Sequence, residues 1–250
     1  MSTYTVYEEQ TAKRLRLWER DLTKPKGMLE RASKSLSTKI NSWIPEKVHG
    51  ALTASVKGIV KTSLFTAEYI PKQEPLKRLS LADRDTQAEA LISRYKKIAA
   101  AEGAGTGAGG IMLGFVDFPV LIGIKIKFLF ELAHVYGYST RDYRERLFVL
   151  YIFQLAFSSP DKQRELLNVI KDWPARRAAM PPGEAKADVI DWRQLQQEYR
   201  DTIDFRKMLQ MIPGVGAVVG AWANYGLLEE LGQTGMQVYR MRWLQDKQVN

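Results

Sequence analysis

Two groups of residues in this chain have types and spacing that chemistry can use. The first is the run from Gly103 to Gly110, GAGTGAGG, followed closely by Gly114. Glycines at this density let a backbone approach a phosphate, and Gly103-x-Gly105-x-x-Ala108 has the spacing of an alanine-ended dinucleotide loop. Such a loop needs a strand feeding it and a helix leaving it, so that pyrophosphate meets the helix N-terminus. Here a helical pattern feeds it, and no Gly-Lys-Ser/Thr follows. A nucleotide site is therefore poorly supported. The second group centres on Asp117, the single ionised side chain between Gly103 and Ile124. An ionisable group in an apolar run needs a partner or a function. Its spacing to Pro119 suits the cap of a helix starting there, and a ligand pocket is the alternative. His49 and His134 stand far apart with no neighbour at metal-ligand spacing, and neither HExxH nor a Gly-x-Ser-x-Gly elbow occurs. No catalytic set, metal or cofactor is expected.

The elements that must position these residues read as helices throughout. The expected fold class is all-α: a single multi-helix bundle over residues 1–250, with two glycine-rich apolar helical hairpins packed together. Leu15, Trp18 and Leu22 share a stripe between Tyr7 and Leu22, and further basic amphipathic patterns follow at Met28 to Ile40 and after Pro45. A helix from about Ser80 or Asp83 carries Leu91, Ile92, Tyr95 and Ile98 inward and ends at Gly103 as C-cap. The first apolar hairpin is expected to turn near Asp117-Phe118-Pro119. Ile124, Phe128, Leu132 and Tyr136 then form one ridge, Lys127 and Glu131 an i,i+4 pair on the other, and Gly137 the stop. Helices follow from Arg141 to Phe157 and from Pro160 to Trp173. Trp173 to Asp188 reads as a linker, with a mobile loop at about 174–188. Met211 to Leu228 is the second glycine-rich patch, and a last helix around Met236 to Leu244 carries Arg240 and Arg242.

Charge divides the chain. Residues 1–100 hold 19 Lys and Arg against 11 Asp and Glu, whereas residues 101–250 hold 18 against 17. A basic segment joined to a near-neutral apolar one reads as a surface that faces phosphates. Trp and Tyr fall on the helix stripes, as core residues do, so nucleic acid is a poor partner and an anionic membrane surface a better one. There are no cysteines, which removes disulfides and thiol chemistry. The first residues lack the apolar region of a secretory signal. The expected location is cytoplasmic, peripheral to the inner face of the cell membrane.

The assembled pieces resemble the EcsC family of bacteria. They are Trp43-Ile44-Pro45-Glu46-Lys47-Val48-His49, Gly105-Thr106-Gly107 with Gly110, Asp117-Phe118-Pro119, and Ala133-x-x-Tyr136-Gly137-Tyr138. To these add Ile212-Pro213-Gly214-Val215-Gly216-Ala217, Gly220, Asn224 and Tyr239-Arg240. The resemblance covers about Trp18 to Leu244. It implies an all-helical, membrane-connected protein whose partners include an ABC transporter or another membrane protein, the family being named for the third protein of an ABC-transporter locus. It implies no reaction and no catalytic residues. The positions it marks for structure or binding are Gly105, Thr106, Gly107, Gly110, Asp117, Pro119, Tyr136, Pro213, Gly214, Gly216 and Asn224. Three functions stay open: a non-enzymatic peripheral membrane protein, a small-ligand-binding protein or hydrolase with a pocket around Asp117 and the glycine-rich turn, and a soluble protein-binding scaffold.

Overall fold

The computed structural model describes residues 4–23, 58, 69–107, 110–158, 160–182 and 217–249. Among the described residues seven helices are delimited: α1 (Val6–Thr23), α2 (Leu81–Gly107), α3 (Gly110–Val135), α4 (Tyr143–Phe157), α5 (Pro160–Lys171), α6 (Trp173–Ala179) and α7 (Ala217–Val249). The expected all-α bundle is observed.

Local chemistry sets the helix ends. Thr5 and Glu8 form a reciprocal box at α1: the Glu8 N–H donates to Thr5 Oγ1 at 3.3 Å, and the Thr5 N–H to Glu8 Oε2 at 2.7 Å. Ser80 accepts from the Asp83 N–H at 3.2 Å to open α2, and Asp142 accepts from the Arg144 N–H at 3.0 Å to open α4. Gly137 closes α3 with φ of +94°, a conformation that a side chain disfavours. Its N–H bonds His134 O while the Tyr138 N–H bonds Ala133 O, so two terminal carbonyls are satisfied.

α2 is flanked by α3 and α7, both antiparallel to it. Arg84 donates to Val135 O at 2.7 Å near one end, and Tyr95 packs edge-on against Phe128 further along. On α7 the successive partners of α2 are Arg240 with Asp85, Gly232 with Ile92, and Glu229 with Lys96. Close packing explains two glycines within α7: a Cβ on Gly232 would lie 2.7 Å from Ile92, and one on Gly235 2.6 Å from Leu132. α4 covers the other side of α7, and α1 ties to α7 through Glu8–Lys247 (2.7 Å) and Tyr4–Leu244 O (3.1 Å).

Several expected boundaries move. α3 runs unbroken through Asp117-Phe118-Pro119, so there is no turn there and Asp117 does not cap a helix. The reversal lies inside the glycine run, between Gly107 and Gly110, and α2 extends past Gly103. Five glycines in this run supply the break, and Pro119 gives up one main-chain bond inside a helix that packs extensively from Ile122 onward. Similarly, α7 is one helix of 33 residues, so the part of the second patch from Ala217 to Leu228 is no hairpin. Residues 211–216 lie outside the described residues, as do the patterns at Met28 to Ile40 and after Pro45. The linker expected at Trp173 begins as α6. Ile98 is exposed, and Glu131 bonds Arg94 and Tyr95 on α2 in place of Lys127.

Two buried ion pairs organise one end of the bundle. Asp85 accepts from Arg240 Nε at 3.0 Å, from Tyr7 Oη at 2.6 Å and from Tyr136 Oη. Glu145 accepts from Arg242 Nη1 at 2.7 and 2.8 Å and from Tyr239 Oη at 3.2 Å. Burial and the Asp85 carboxylate push the Tyr7 phenol up to about 12. Tyr136, Tyr239 and Tyr138 stack in sequence, with centroids 5.5 and 5.6 Å apart. Removing one member of such a pair leaves an uncompensated buried charge. Asp85→Ala is therefore expected to cost about 3–5 kcal/mol in urea unfolding, against ~1 kcal/mol or less for Glu165→Ala in the exposed Lys162–Glu165 pair.

Candidate functional site

The residues marked in the sequence separate to opposite ends of the bundle. Gly105, Thr106 and Gly107 form the last turn of α2, Gly110 starts α3, and Asp117 and Pro119 follow in its next turns. Asn224, near the start of α7, belongs to this same glycine-rich end by the antiparallel register of α2 and α7. Tyr136 lies at the other end, bonded to Asp85. Pro213, Gly214 and Gly216, and the segment from Trp43 to His49, lie outside the described residues.

At the glycine-rich end, buried polar groups lack partners. Asn224 is 0% exposed, and neither its amide nitrogen nor its oxygen has a hydrogen-bond partner. Lys125 is likewise 0% exposed with no partner for Nζ. Burial alone pushes its ammonium down to about 8. The α2–α3 register sets Lys125 one turn beyond Phe128, beside Ala99. The α2–α7 register sets Asn224 five residues before Glu229, beside residue 101. The two levels differ by about one helical turn or less. Gln154 on α4 is a second buried amide without a partner, at mid-bundle, two residues beyond Ile152, which packs against Gly235. The sequence held a signal for Lys125 that was missed. Ile122, Lys125, Leu129 and Leu132 recur at core spacing, so one of the two lysines in IKIK had to face inward.

The opposite end is basic and its buried charges are matched. A cavity of about 360 Å³ lies beneath residues 71–76, with Arg94, Glu131 and His134 in its wall. Its polar groups are mutually engaged. Glu131 holds Arg94 and Tyr95, and His134 bonds Gln73 O at 3.1 Å and the Thr140 N–H at 3.1 Å. The Thr140 donor makes Nε2 the acceptor and Nδ1 the protonated nitrogen, and burial lowers the imidazole pKa, so His134 is neutral. Among the described residues no three His, Asp or Glu side chains are grouped as a metal site.

Together these features define an all-helical bundle with a charge-matched end and a glycine-rich end that buries unmatched polar groups. The EcsC protein family matches residues 9–244, and the chain belongs to that family. It is 44% identical to Protein EcsC of Bacillus subtilis (strain 168) over 229 residues, covering 92% of this chain and 93% of that one. It is 26% identical to the uncharacterized protein YdbA of the same organism over 242 residues, covering 94% and 88%. No solved structure matches the chain. Among the described residues, no helix is long and apolar enough to cross a membrane.

The buried ammonium makes a sign-specific prediction. Its pKa in the folded chain lies below the ordinary 10.5, so below about pH 8 both states hold the proton and the folded state bears the full penalty. That penalty fades as pH rises from about 8 toward 10.5. At pH 7 it is on the order of 3 kcal/mol. Lys125→Met is expected to be more stable than the parent at pH 7 in urea unfolding, with the gap narrowing at pH 10. A gap that is constant with pH would show that Lys125 is not a buried, unpaired cation.

Proposed function

We propose that this protein is a non-enzymatic peripheral membrane protein that docks on an anionic bilayer through the end of the bundle carrying α1. The observation that carries this reading is the outer face of α1. Val6, Gln10, Lys13, Leu17 and Arg20 recur at helical spacing on the side opposite Leu15, with Arg14 and Arg16 flanking them. Val6 is 73% exposed and Leu17 50%, so apolar side chains project amid four cations. Exposed acids on α1 are fewer: Glu9, and Asp21 beside Arg20.

Both ends of α1 are tied to this one end of the bundle. Tyr7 bonds Asp85 at the start of α2, Glu8 bonds Lys247 at the end of α7, and Glu19 bonds Lys171 at 2.5 Å at the end of α5. The segment before α2 adds exposed Lys72, Lys77 and Arg78, with Leu76 39% exposed between them, at the same end. Cations that meet headgroups around a few apolar side chains at the acyl boundary are the composition of an interfacial surface. On this reading the location is the cytoplasmic face of the cell membrane. The neighbour proposed there is an ABC transporter or another membrane protein.

Flotation with anionic and neutral vesicles at low and high salt tests the proposal. Binding is expected to anionic vesicles only and to be released by salt. With ~1 kcal/mol for each cation near the surface, combining Lys13→Glu, Arg14→Glu, Arg16→Glu and Arg20→Glu should weaken it at least about tenfold. Undiminished binding by that variant would refute docking through α1.

A further inference from the structure

We infer that the glycine-rich half of the bundle binds the oxyanion end of a single-chain aliphatic acid, with Lys125 as counter-charge and Asn224 as hydrogen-bonding neighbour. This site lies at the opposite end from the membrane-docking face and does not depend on it.

The buried charges of the bundle do not balance. Every other buried charge described above has its partners: Asp85 and Arg240, Glu145 and Arg242, Glu8 and Lys247, and Arg84 with the carbonyls of Leu76, Leu79 and Val135. Lys125 has none, although it is fully buried. Among the described residues, the acids nearest in register are committed or distant. Glu131 holds Arg94 and Tyr95, and Glu229 holds Lys96 and Gln233. Glu102 is exposed at the end of α2. Asp117 lies eight residues back along α3, a rise of ~12 Å. Deprotonation does not remove the problem at neutral pH, because an amine with a pKa of about 8 still holds its proton there. A buried cation of this kind is stabilised by an anion brought to it.

The neighbouring groups narrow the chemistry of that anion. Asn224 reaches a closely similar level from α7 with both amide atoms unpartnered. An amide beside an ammonium provides N–H donors for a carboxylate or phosphate oxygen. Beyond these groups the interior is apolar, with Ile122, Ile126, Phe157, Leu227 and Leu228 all buried in the same half. Ala99, fully buried at this level of α2, contributes a small side chain to the wall. A small hydrated ion would lose its water here without gain, whereas an acid on a hydrocarbon chain places oxygen against Lys125 and methylenes against the aliphatic wall.

The experiment uses the full chain with four probes: hexadecanoate, hexadecyl phosphate, hexadecanol and inorganic phosphate, each below its aggregation limit. Binding is followed by native mass spectrometry and by displacement of a fluorescent fatty acid. At least one of the two acids is expected to bind one-to-one, and which of them binds identifies the head as carboxylate or phosphate. Hexadecanol and inorganic phosphate should bind at least tenfold more weakly. Lys125→Met should lose at least tenfold in acid affinity while remaining folded, and Asn224→Leu should lose affinity in the same direction. The variant carrying four glutamates on α1 should keep acid binding. Unchanged acid binding by folded Lys125→Met, equal binding of hexadecanol, equal binding of inorganic phosphate, or no binding of either acid would each overturn the inference.

Discussion

The bundle depends on two buried guanidinium–carboxylate pairs placed two residues apart on α7. Arg240 and Arg242 project about 200° apart around the helix, so one meets Asp85 on α2 and the other Glu145 on α4. α7 is thereby held between those helices. A buried ion pair adds little net stability over a well-packed apolar pair. Sliding α7 against either neighbour, however, would leave a charge unpaired in the core, and that penalty fixes its register. Tyr7, Tyr136 and Tyr239 fill remaining acceptor sites on the two carboxylates, so one network joins α1, α2, α4, α7 and the turn after α3. Arg242 also lies 3.8 Å from the Tyr138 ring centroid, which turns aromatic faces toward its charge.

The other half of the same interior follows a different rule. Among its described residues the buried charge of Lys125 is unpaired, and the α2–α7 ion pair in this half, Lys96–Glu229, is partly exposed. Buried charge is thus paired at one end and unpaired at Lys125, while unpartnered neutral polar atoms occur along the whole bundle, Tyr143 Oη and Trp173 Nε1 at the charge-matched end among them. The charge-matched end holds the helices in place, while the glycine-rich end keeps an unpaired charge at Lys125 and an unpartnered amide at Asn224. Unsatisfied groups of this kind carry a free-energy cost that functional sites commonly bear and structural cores avoid.

What was legible in the sequence was what local spacing determines. The stripe of Leu15, Trp18 and Leu22 faces the core on α1, Gly137 ends α3, and the Ser80 and Pro160 starts fall where their chemistry places them. Local signals misled where several competed. Five glycines between Gly103 and Gly110 each resemble a helix stop, and the chain turns only after the third, while Asp117 and Pro119 suggested a break that the rest of α3 overrides. The partners of Arg240 and Arg242 were out of reach because Asp85 and Glu145 lie 155 and 97 positions away, and no local period encodes such pairs. Of the candidate site, the marked Asn224 became more informative once its burial was known. Lys125 was discoverable from its core spacing with Ile122, Leu129 and Leu132.

The separation of the two ends limits what one bilayer can do with this protein. Asp85, beside α1, and Gly107, at the glycine-rich tip, are 22 residues apart on a single continuous helix, a span of ~33 Å. A rigid bundle resting on headgroups through α1 therefore holds the glycine-rich tip well away from that surface. Electrostatic docking through the cations of α1 and shallow insertion of the glycine-rich helices are alternatives for one membrane, not additive contributions. The exposed Val6, Leu17 and Leu76 stand at the cationic end, where headgroup contact would cover them. The glycine-rich end contributes exposed Ile98 and Tyr225, and Lys96 lies over the Tyr225 ring at 4.2 Å while bonding Glu229, so that cation is already occupied. Among the described residues the larger cluster of exposed cations around apolar side chains stands at the end carrying α1, and that cluster favours α1 as the side that meets lipid.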